Sequence, residues 1–297
     1  MAPVIGEAQR CLQFLAEGEV DRSIEVLQSS GQLTRRAALM GSVNGGFEPS
    51  RAPNREQQVE FFERAYPLTR LGTRDQIKFF VAFAYNASEI GAVEAQRQVI
   101  ERLERQLEVA KRQRSRIPFA IRHKKRGHHF YYSIVNALGH VHLSAGQATA
   151  FDHVIDRTCA FFREHTTRTR DKGFGWAMVN AIDLLGLARI RAVMHQDMGR
   201  QQQMTEALQA MLRLGVERKV GPIEWPGFYH SCARCQQAVS LHTGSSPQDL
   251  KQAFAYLVRV RTKQAQQRIF RTLQQGAEEQ ITRSGSTRSA FASESPK

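Results

Sequence analysis

The stretch Tyr132-Ser-Ile-Val-Asn-Ala-Leu138 has related copies elsewhere in the chain. Trp176-Ala-Met-Val-Asn-Ala-Ile182 follows it 44 residues later, and a third copy with Cys in the Asn position begins at Phe228, 52 residues after Trp176. Each copy opens an apolar helical segment, which a turn and a second, amphipathic segment follow. A helix pair that recurs every 44–52 residues is typical of helical-repeat architectures.

The fold class follows from the hydrophobic pattern around these copies. Apolar residues recur at spacings of three and four, and no window alternates with a period of two over any length. The sequence therefore predicts an all-α fold of helical hairpins that form a superhelix, either an open solenoid or a closed α/α toroid. We expect one repeat domain over 1–275, with an N-terminal hairpin in 1–40, a loop at 41–54 and longer helix pairs over 55–275.

The helix boundaries can be predicted from local signals. In the N-terminal hairpin the turn is expected at Gly18. The later helices are predicted at 55–66, 74–90, 92–114, 130–144, 148–165, 174–190, 198–214, 227–242 and 247–275. Ser246 is an expected N-cap, with Pro247 in the first helical position. Residues 276–297 are rich in Ser, Thr and Arg, and we expect a disordered tail there.

Composition narrows the class of protein. The 297 residues include 42 Lys and Arg against 28 Asp and Glu, which gives a net charge of +14 and favours anionic partners. No run approaches the roughly 20 apolar residues that span a bilayer, so no membrane span is expected. The four cysteines are irregularly spaced and predict no disulfide framework. A cytoplasmic location is the expectation.

The N-terminal hairpin resembles a known repeat family. The run from Leu12 to Leu27 is similar to the middle of a tetratricopeptide repeat, with Gly18 in the turn position and Ser23 in the position of the small residue that lets two helices approach. A second partial match begins at Leu138-Gly139, although Phe151 replaces its small residue. The resemblance implies a superhelix whose first helices grip extended peptides through Asn side chains.

Three asparagines occupy similar positions in the first helices of successive pairs. Asn is a poor residue for a helix interior, so Asn86, Asn136 and Asn180 need a reason to be there. Their amides, together with Tyr132 and Trp176, are candidate ligand-binding groups on a concave surface. The alternative is that each amide bonds to a neighbouring helix and fixes the packing.

A basic run is the second candidate site. Residues 111–129 hold eight Lys and Arg and no acid, and Arg122, Lys124, Lys125 and Arg126 are its candidate anion-binding residues. Nearby aromatic rings could stack on bases, which favours RNA. A solvated linker is the plain alternative.

No catalytic, cofactor or metal motif accompanies these features. His140 and His142 are two residues apart, so they do not share a helix face. We therefore expect a non-enzymatic scaffold that holds a peptide segment or another extended ligand in a concave groove, with a protein or an anionic molecule such as RNA as its partner. The alternatives are an RNA-associated helical repeat protein and a saccharide-active enzyme on a toroid. The enzyme would need a carboxylate from among Glu89, Asp183 and Glu224.

Overall fold

A computed structural model describes residues 2–43, 53–115, 121–164, 172–217, 233 and 236–274. Side chains are described over 4–43, 53–109, 133–160, 178–213, 233 and 236–274. All regular secondary structure in these ranges is helical, which confirms the all-α prediction. The solenoid or toroid arrangement and the single array over 1–275 stay predictions. The predicted tail at 276–297 and most of the predicted helix at 227–242 lie outside the described residues.

The chain divides into two compact units, Met1–Val109 and Ala110–Lys297. Their charges differ sharply. The first unit has 13 Lys and Arg against 15 Asp and Glu, a net charge of −2. The whole chain has 42 Lys and Arg and 28 Asp and Glu, so the second unit has 29 basic and 13 acidic residues, a net charge of +16. The positive charge of the protein therefore belongs to the second unit.

The first unit is built from six helices in chain order. They are α1 Ala2–Ala16, α2 Val20–Ser29, α3 Gln32–Val43, α4 Arg55–Ala65, α5 Thr73–Ile90 and α6 Val93–Ser115, of which α6 runs on past the unit boundary. Helix α3 packs between α1 and α5, while α2 packs on α4. The core of the unit is aromatic, with the rings of Phe62, Phe79 and Phe83 in mutual contact.

The predicted N-terminal hairpin is present as α1 and α2. Gly18 forms the turn with a φ of 84°, a conformation that glycine adopts at little cost. Buried Ser23 donates a hydrogen bond from Oγ to the Cys11 carbonyl across the hairpin, 2.9 Å away. The small side chain lets the two helices approach closely. Burial raises the pKa of the Cys11 thiol to about 12, so this cysteine is an unreactive packing residue.

Helix α3 is an element that the sequence analysis missed. Residues 41–43 were predicted to begin a loop because Gly41 is a turn former, yet they are helical. A Cβ at this glycine would lie 2.7 Å from Leu12 Cδ1, so its role is close packing of α3 on α1. At the other end of the predicted loop, Asn54 caps α4 in a capping box with Gln57.

The second unit contains α7 Ile121–Ser144, α8 Ala148–Glu164, α9 Lys172–Met194 and α10 Met198–Glu217. A short helical segment at 236–240 follows, and then α11 Pro247–Leu257 and α12, which covers 263–274. Helix α7 begins nine residues before the predicted start at 130, so the backbone of the basic run from Ile121 onward is helical. Ser246 and Asp249 form the predicted cap of α11, which Pro247 opens.

Helix α9 forms the centre of the second unit. It packs against α7, α8, α10 and α11, and every residue from 180 to 190 is buried. One of these residues is Arg189, whose guanidinium donates to the Leu241 carbonyl and to the side chains of Gln201 and Thr205. Burial lowers the pKa of Arg189. Its three neutral partners accept the hydrogen bonds that the buried guanidinium needs.

The predicted helix at 247–275 is broken in the structure. Helix α11 ends at Leu257, and Val258 is extended with φ −72° and ψ 139°. Residues 258–262, called the elbow below, separate it from α12. The sequence gives no breaker here, since Val-Arg-Val-Arg-Thr contains neither Gly nor Pro. At the end of the elbow, Thr262 Oγ1 accepts a hydrogen bond from the Ala265 N–H over 3.2 Å and so caps the start of α12.

Among the described residues, none of the helices combines the length and the apolar character that crossing a membrane would require.

Candidate functional site

Two polar side chains lie on one face of α9, three residues apart. Asn180 is 7% exposed and Asp183 is fully buried at 0%. Residues at i and i+3 of a helix are neighbours on its surface. Because a buried carboxylate is costly without partners, the residues that surround this pair determine what the site can do.

Helix α7 supplies the first partner. The Asn136 Nδ2 donates to the backbone carbonyl of Asn180 over 2.7 Å, and Asn136 is 0% exposed. Gly139, three residues after Asn136, packs against Leu184, four residues after Asn180. Residue numbers thus rise in the same direction along both helices, so α7 and α9 run parallel. The two stretches that recur 44 residues apart in the sequence thus contact each other through this hydrogen bond between their asparagines.

The elbow supplies the second partner. Arg259 donates from Nε to Asp183 Oδ2 over 2.8 Å and from Nη2 to the same oxygen. Its Nη2 also donates to Asn180 Oδ1 over 3.0 Å. The Arg259 side chain keeps 32% of its surface exposed, whereas the carboxylate keeps none. The ion pair therefore ties the elbow, just beyond the end of α11, to α9.

His140 completes this cluster. Its Nδ1 lies 3.1 Å from the Asn136 carbonyl, which can only accept, so Nδ1 carries a proton that it donates. Burial, reinforced by the positive charge of Arg259, lowers the pKa of His140 to about 3, against the opposing effect of backbone hydrogen bonds with Asn136 and Leu257. His140 is therefore uncharged at neutral pH. We call Asn136, His140, Asn180, Asp183 and Arg259 the clasp.

The chemistry of the clasp is that of a structural element. Its carboxylate is held by a guanidinium and its imidazole is neutral and buried, so neither group is presented to a substrate. Two other carboxylates were considered for an enzyme. Glu89 is buried in the first unit, and Glu224 lies outside the described residues. Within the part of the chain that the structure describes, no group of His, Cys, Asp and Glu could hold a metal ion.

Of the sequence-predicted site residues, the structure describes the side chains of the three asparagines only. Asn136 and Asn180 meet in the clasp, where both are buried, while Asn86 is buried in α5 of the first unit. Tyr132 and Trp176 are on α7 and α9, but their side chains lie outside the described residues. The same holds for the side chains of Arg122, Lys124, Lys125 and Arg126. A ligand-binding role for these residues stays a prediction.

The structure forms an open groove that the sequence analysis did not identify. Helices α11 and α12, joined by the elbow, enclose a groove of about 590 Å³, called the C-terminal groove below. Its floor contains Phe254 and Phe270, whose rings meet edge to face at 5.3 Å. Its walls are made of five glutamines, three cations and one alanine, namely Gln248, Lys251, Gln252, Ala255, Lys263, Gln266, Gln267, Arg271 and Gln274.

The walls of the groove are polar, positive and open to solvent. Lys251, Lys263 and Arg271 are exposed, and no Asp or Glu lines the groove. The side-chain amides of Gln248, Gln252 and Gln267 in the groove walls form no hydrogen bond with any residue that the structure describes. The Lys251 ammonium lies 5.9 Å from the centre of the Phe270 ring, which positions it over the floor.

A sequence signal for the groove exists in α12. Lys263, Gln267, Arg271 and Gln274 recur at spacings of four, four and three, which places them on one helix face. Read alone, such a face is a solvated surface. The second wall and the aromatic floor become visible only once the elbow folds α12 back on α11.

No family model matches the chain, and neither a curated protein nor a solved structure does.

Proposed function

We propose that the chain is a non-enzymatic helical binding protein that holds a polypeptide segment in the C-terminal groove. The observation that carries the proposal is an open groove in which the amide side chains of Gln248, Gln252 and Gln267 are exposed and form no hydrogen bond with the described residues. This function retains the scaffold role expected from the sequence but moves the binding surface from the asparagines to α11 and α12. The superhelical stacking of hairpins belongs to the same proposal, and the parallel packing of α7 and α9 supports it.

The dimensions of the groove suit a short stretch of chain. Helix α11 has 11 residues, so this wall is about 16 Å long. An extended chain rises about 3.3 Å per residue, so about five residues fit along it. A glutamine amide offers both donors and an acceptor, the complement of a peptide group with its own N–H and C=O. Gln248, Gln252 and Gln267 are exposed and placed for such pairing.

The clasp has a positioning role in this function. The angle between α11 and α12 is set at the elbow, and the elbow is fixed to α9 through Arg259. Ordering the walls before the ligand arrives reduces the entropy lost on binding. Asn180 and Asp183 thus act on the groove only through Arg259.

A display selection on the full chain tests the proposal. Peptides of about ten residues are selected from a random library, and each is then measured against two variants. Ala255→Trp fills the groove, whereas the matched control Tyr256→Trp changes the next residue, which is exposed but does not line the groove. We expect selected peptides to lose at least about tenfold in affinity with the first variant only, a loss of about 1.4 kcal/mol. A pool without groove-dependent peptides would contradict the proposal.

A further inference from the structure

We infer that the polypeptide segment is acidic, with carboxylates spaced to meet the cations of the C-terminal groove. The inference rests on the proposed function and names the class of partner. It starts from the charge of the walls, which carry Lys251, Lys263 and Arg271 and no acid. A partner with the opposite charge gains attraction at every point along such a surface, whereas a basic partner is repelled.

The spacing of the cations determines the pattern of acids. Lys263 and Arg271 are eight residues apart on α12, a rise of about 12 Å. In an extended peptide this distance corresponds to about three to four residues. The groove thus fits a segment with Asp or Glu at positions i and i+3 or i+4. Lys251 contributes a third charge from the opposite wall.

The surroundings of the groove strengthen the same preference. From Pro247 to the end of α12 the chain has six Lys and Arg and one acid, Asp249. Among the six cations, Arg259 is paired with Asp183 in the clasp. The groove also belongs to the unit with a net charge of +16. Such a field steers acidic segments to the surface and speeds their association.

Nucleic acid is the competing anionic partner, and the floor of the groove argues against it. Single-stranded nucleic acids are bound by stacking bases on exposed aromatic rings. The rings that line this groove, Phe254 and Phe270, are 1% and 4% exposed, so they offer no face to a base. The exposed groups are amides and cations, which match a peptide backbone and its carboxylates.

The test uses the full chain and the groove-dependent peptides from the display selection. We expect these peptides to carry Asp or Glu three to four residues apart. Replacing the acids by Asn or Gln should weaken binding about tenfold, because two exposed ion pairs contribute a few-fold each. Groove-dependent peptides that are neutral or basic would overturn the inference and leave the proposed function intact. Without any groove-dependent peptide, the proposed function itself fails.

Charge reversal provides the matched comparison. The double variant Lys263→Glu with Arg271→Glu should bind the acidic peptide at least about tenfold more weakly and should gain affinity for the same peptide with Lys in place of its acids. The control, Arg157→Glu with Arg213→Glu, makes the same change in net charge at two exposed positions outside the groove. It should change affinity less than about threefold. An equal loss in both double variants would overturn the inference, since it would show only a general effect of net charge.

A nucleic-acid arm separates the two anionic partners. A fluorescent 12-nucleotide oligouridylate is titrated against the protein and both double variants. We expect weak binding that the two variants reduce equally. Binding tighter than that of every selected peptide, and lost only with Lys263→Glu and Arg271→Glu, would overturn the inference in favour of RNA.

Discussion

The clasp and the C-terminal groove contain similar residue types, which are buried and paired in the clasp and exposed in the groove. Arg259 and Lys263 are four residues apart, yet the first is held by a buried carboxylate of α9 and the second lines an open groove. Asn136 and Gln267 differ in the same way, since one amide donates to a backbone carbonyl inside the protein and the other is exposed. Whether a polar helical residue is buried or exposed is decided here by partners far away in the sequence.

Removing the arginine of the clasp should have the largest effect. Arg259→Ala leaves Asp183 fully buried without its guanidinium. Breaking a buried pair costs about 3–5 kcal/mol, and because Arg259 is one-third exposed we expect about 2–4 kcal/mol of unfolding free energy. Urea denaturation measures the loss. Arg213→Ala, at an exposed site of α10, is the control, and a loss no larger than that of the control would contradict the ion pair.

The neutral histidine gives the clasp a pH dependence that the groove lacks. The pKa of His140 is lowered to about 3 in the folded protein, whereas an unfolded histidine titrates near 6.5. Between these values the unfolded chain binds the extra proton, so stability falls as the pH falls. From pH 7 to pH 5 the loss from this residue is about 2 kcal/mol.

The measurement compares urea unfolding of the wild type and of His140→Gln at both pH values. The variant should lose about 2 kcal/mol less than the wild type over this range. The same loss in both proteins would mean that folding does not lower the pKa of His140.

A smaller effect is expected where α11 reaches α9. A Cβ at Gly186 would lie 2.7 and 2.9 Å from the two Cδ atoms of Leu257, the last residue of α11. Overpacking outweighs the better helix propensity of Ala, so Gly186→Ala should cost about 1 kcal/mol. Gly199→Ala is the control in the same unit, since a Cβ at Gly199 would lie 3.6 Å from its nearest neighbour, Asp197 Oδ1. Thermal melts in which both variants are equally stabilised would show that α11 does not press on α9 here.

Much of the fold could be predicted from the sequence because its signals are local. The hairpin of α1 and α2, the long helices from α4 to α10 and the cap at Ser246 follow from hydrophobic spacing and from capping residues next to the elements they control. Gly41 misled the prediction because the same residue serves turns and close helix packing, and only the position of Leu12 distinguishes them.

The candidate site was beyond sequence reasoning for a different reason. The elbow contains neither Gly nor Pro, and its Arg259 is paired with Asp183, 76 residues earlier in the chain. The groove exists only because the elbow brings the faces of α11 and α12 together. For the asparagines, the sequence indicated two alternatives, packing or ligand binding. Which one applies depends on whether a neighbouring helix offers a carbonyl to the Asn amide. At Asn136 that carbonyl is Asn180 O, at 2.7 Å.

One measurement tests the division between clasp and groove most directly. Asn136→Ala and Gln267→Ala are compared in unfolding free energy and in affinity for one groove-dependent peptide at 10 °C. Asn136→Ala should cost about 1–3 kcal/mol of stability, because a buried carbonyl loses its donor, and leave the affinity within about twofold. Gln267→Ala should change the unfolding free energy by less than about 0.5 kcal/mol and lower the affinity for the peptide about fivefold. If Asn136→Ala instead leaves stability unchanged and weakens the peptide, the asparagines are the binding surface and the account is wrong.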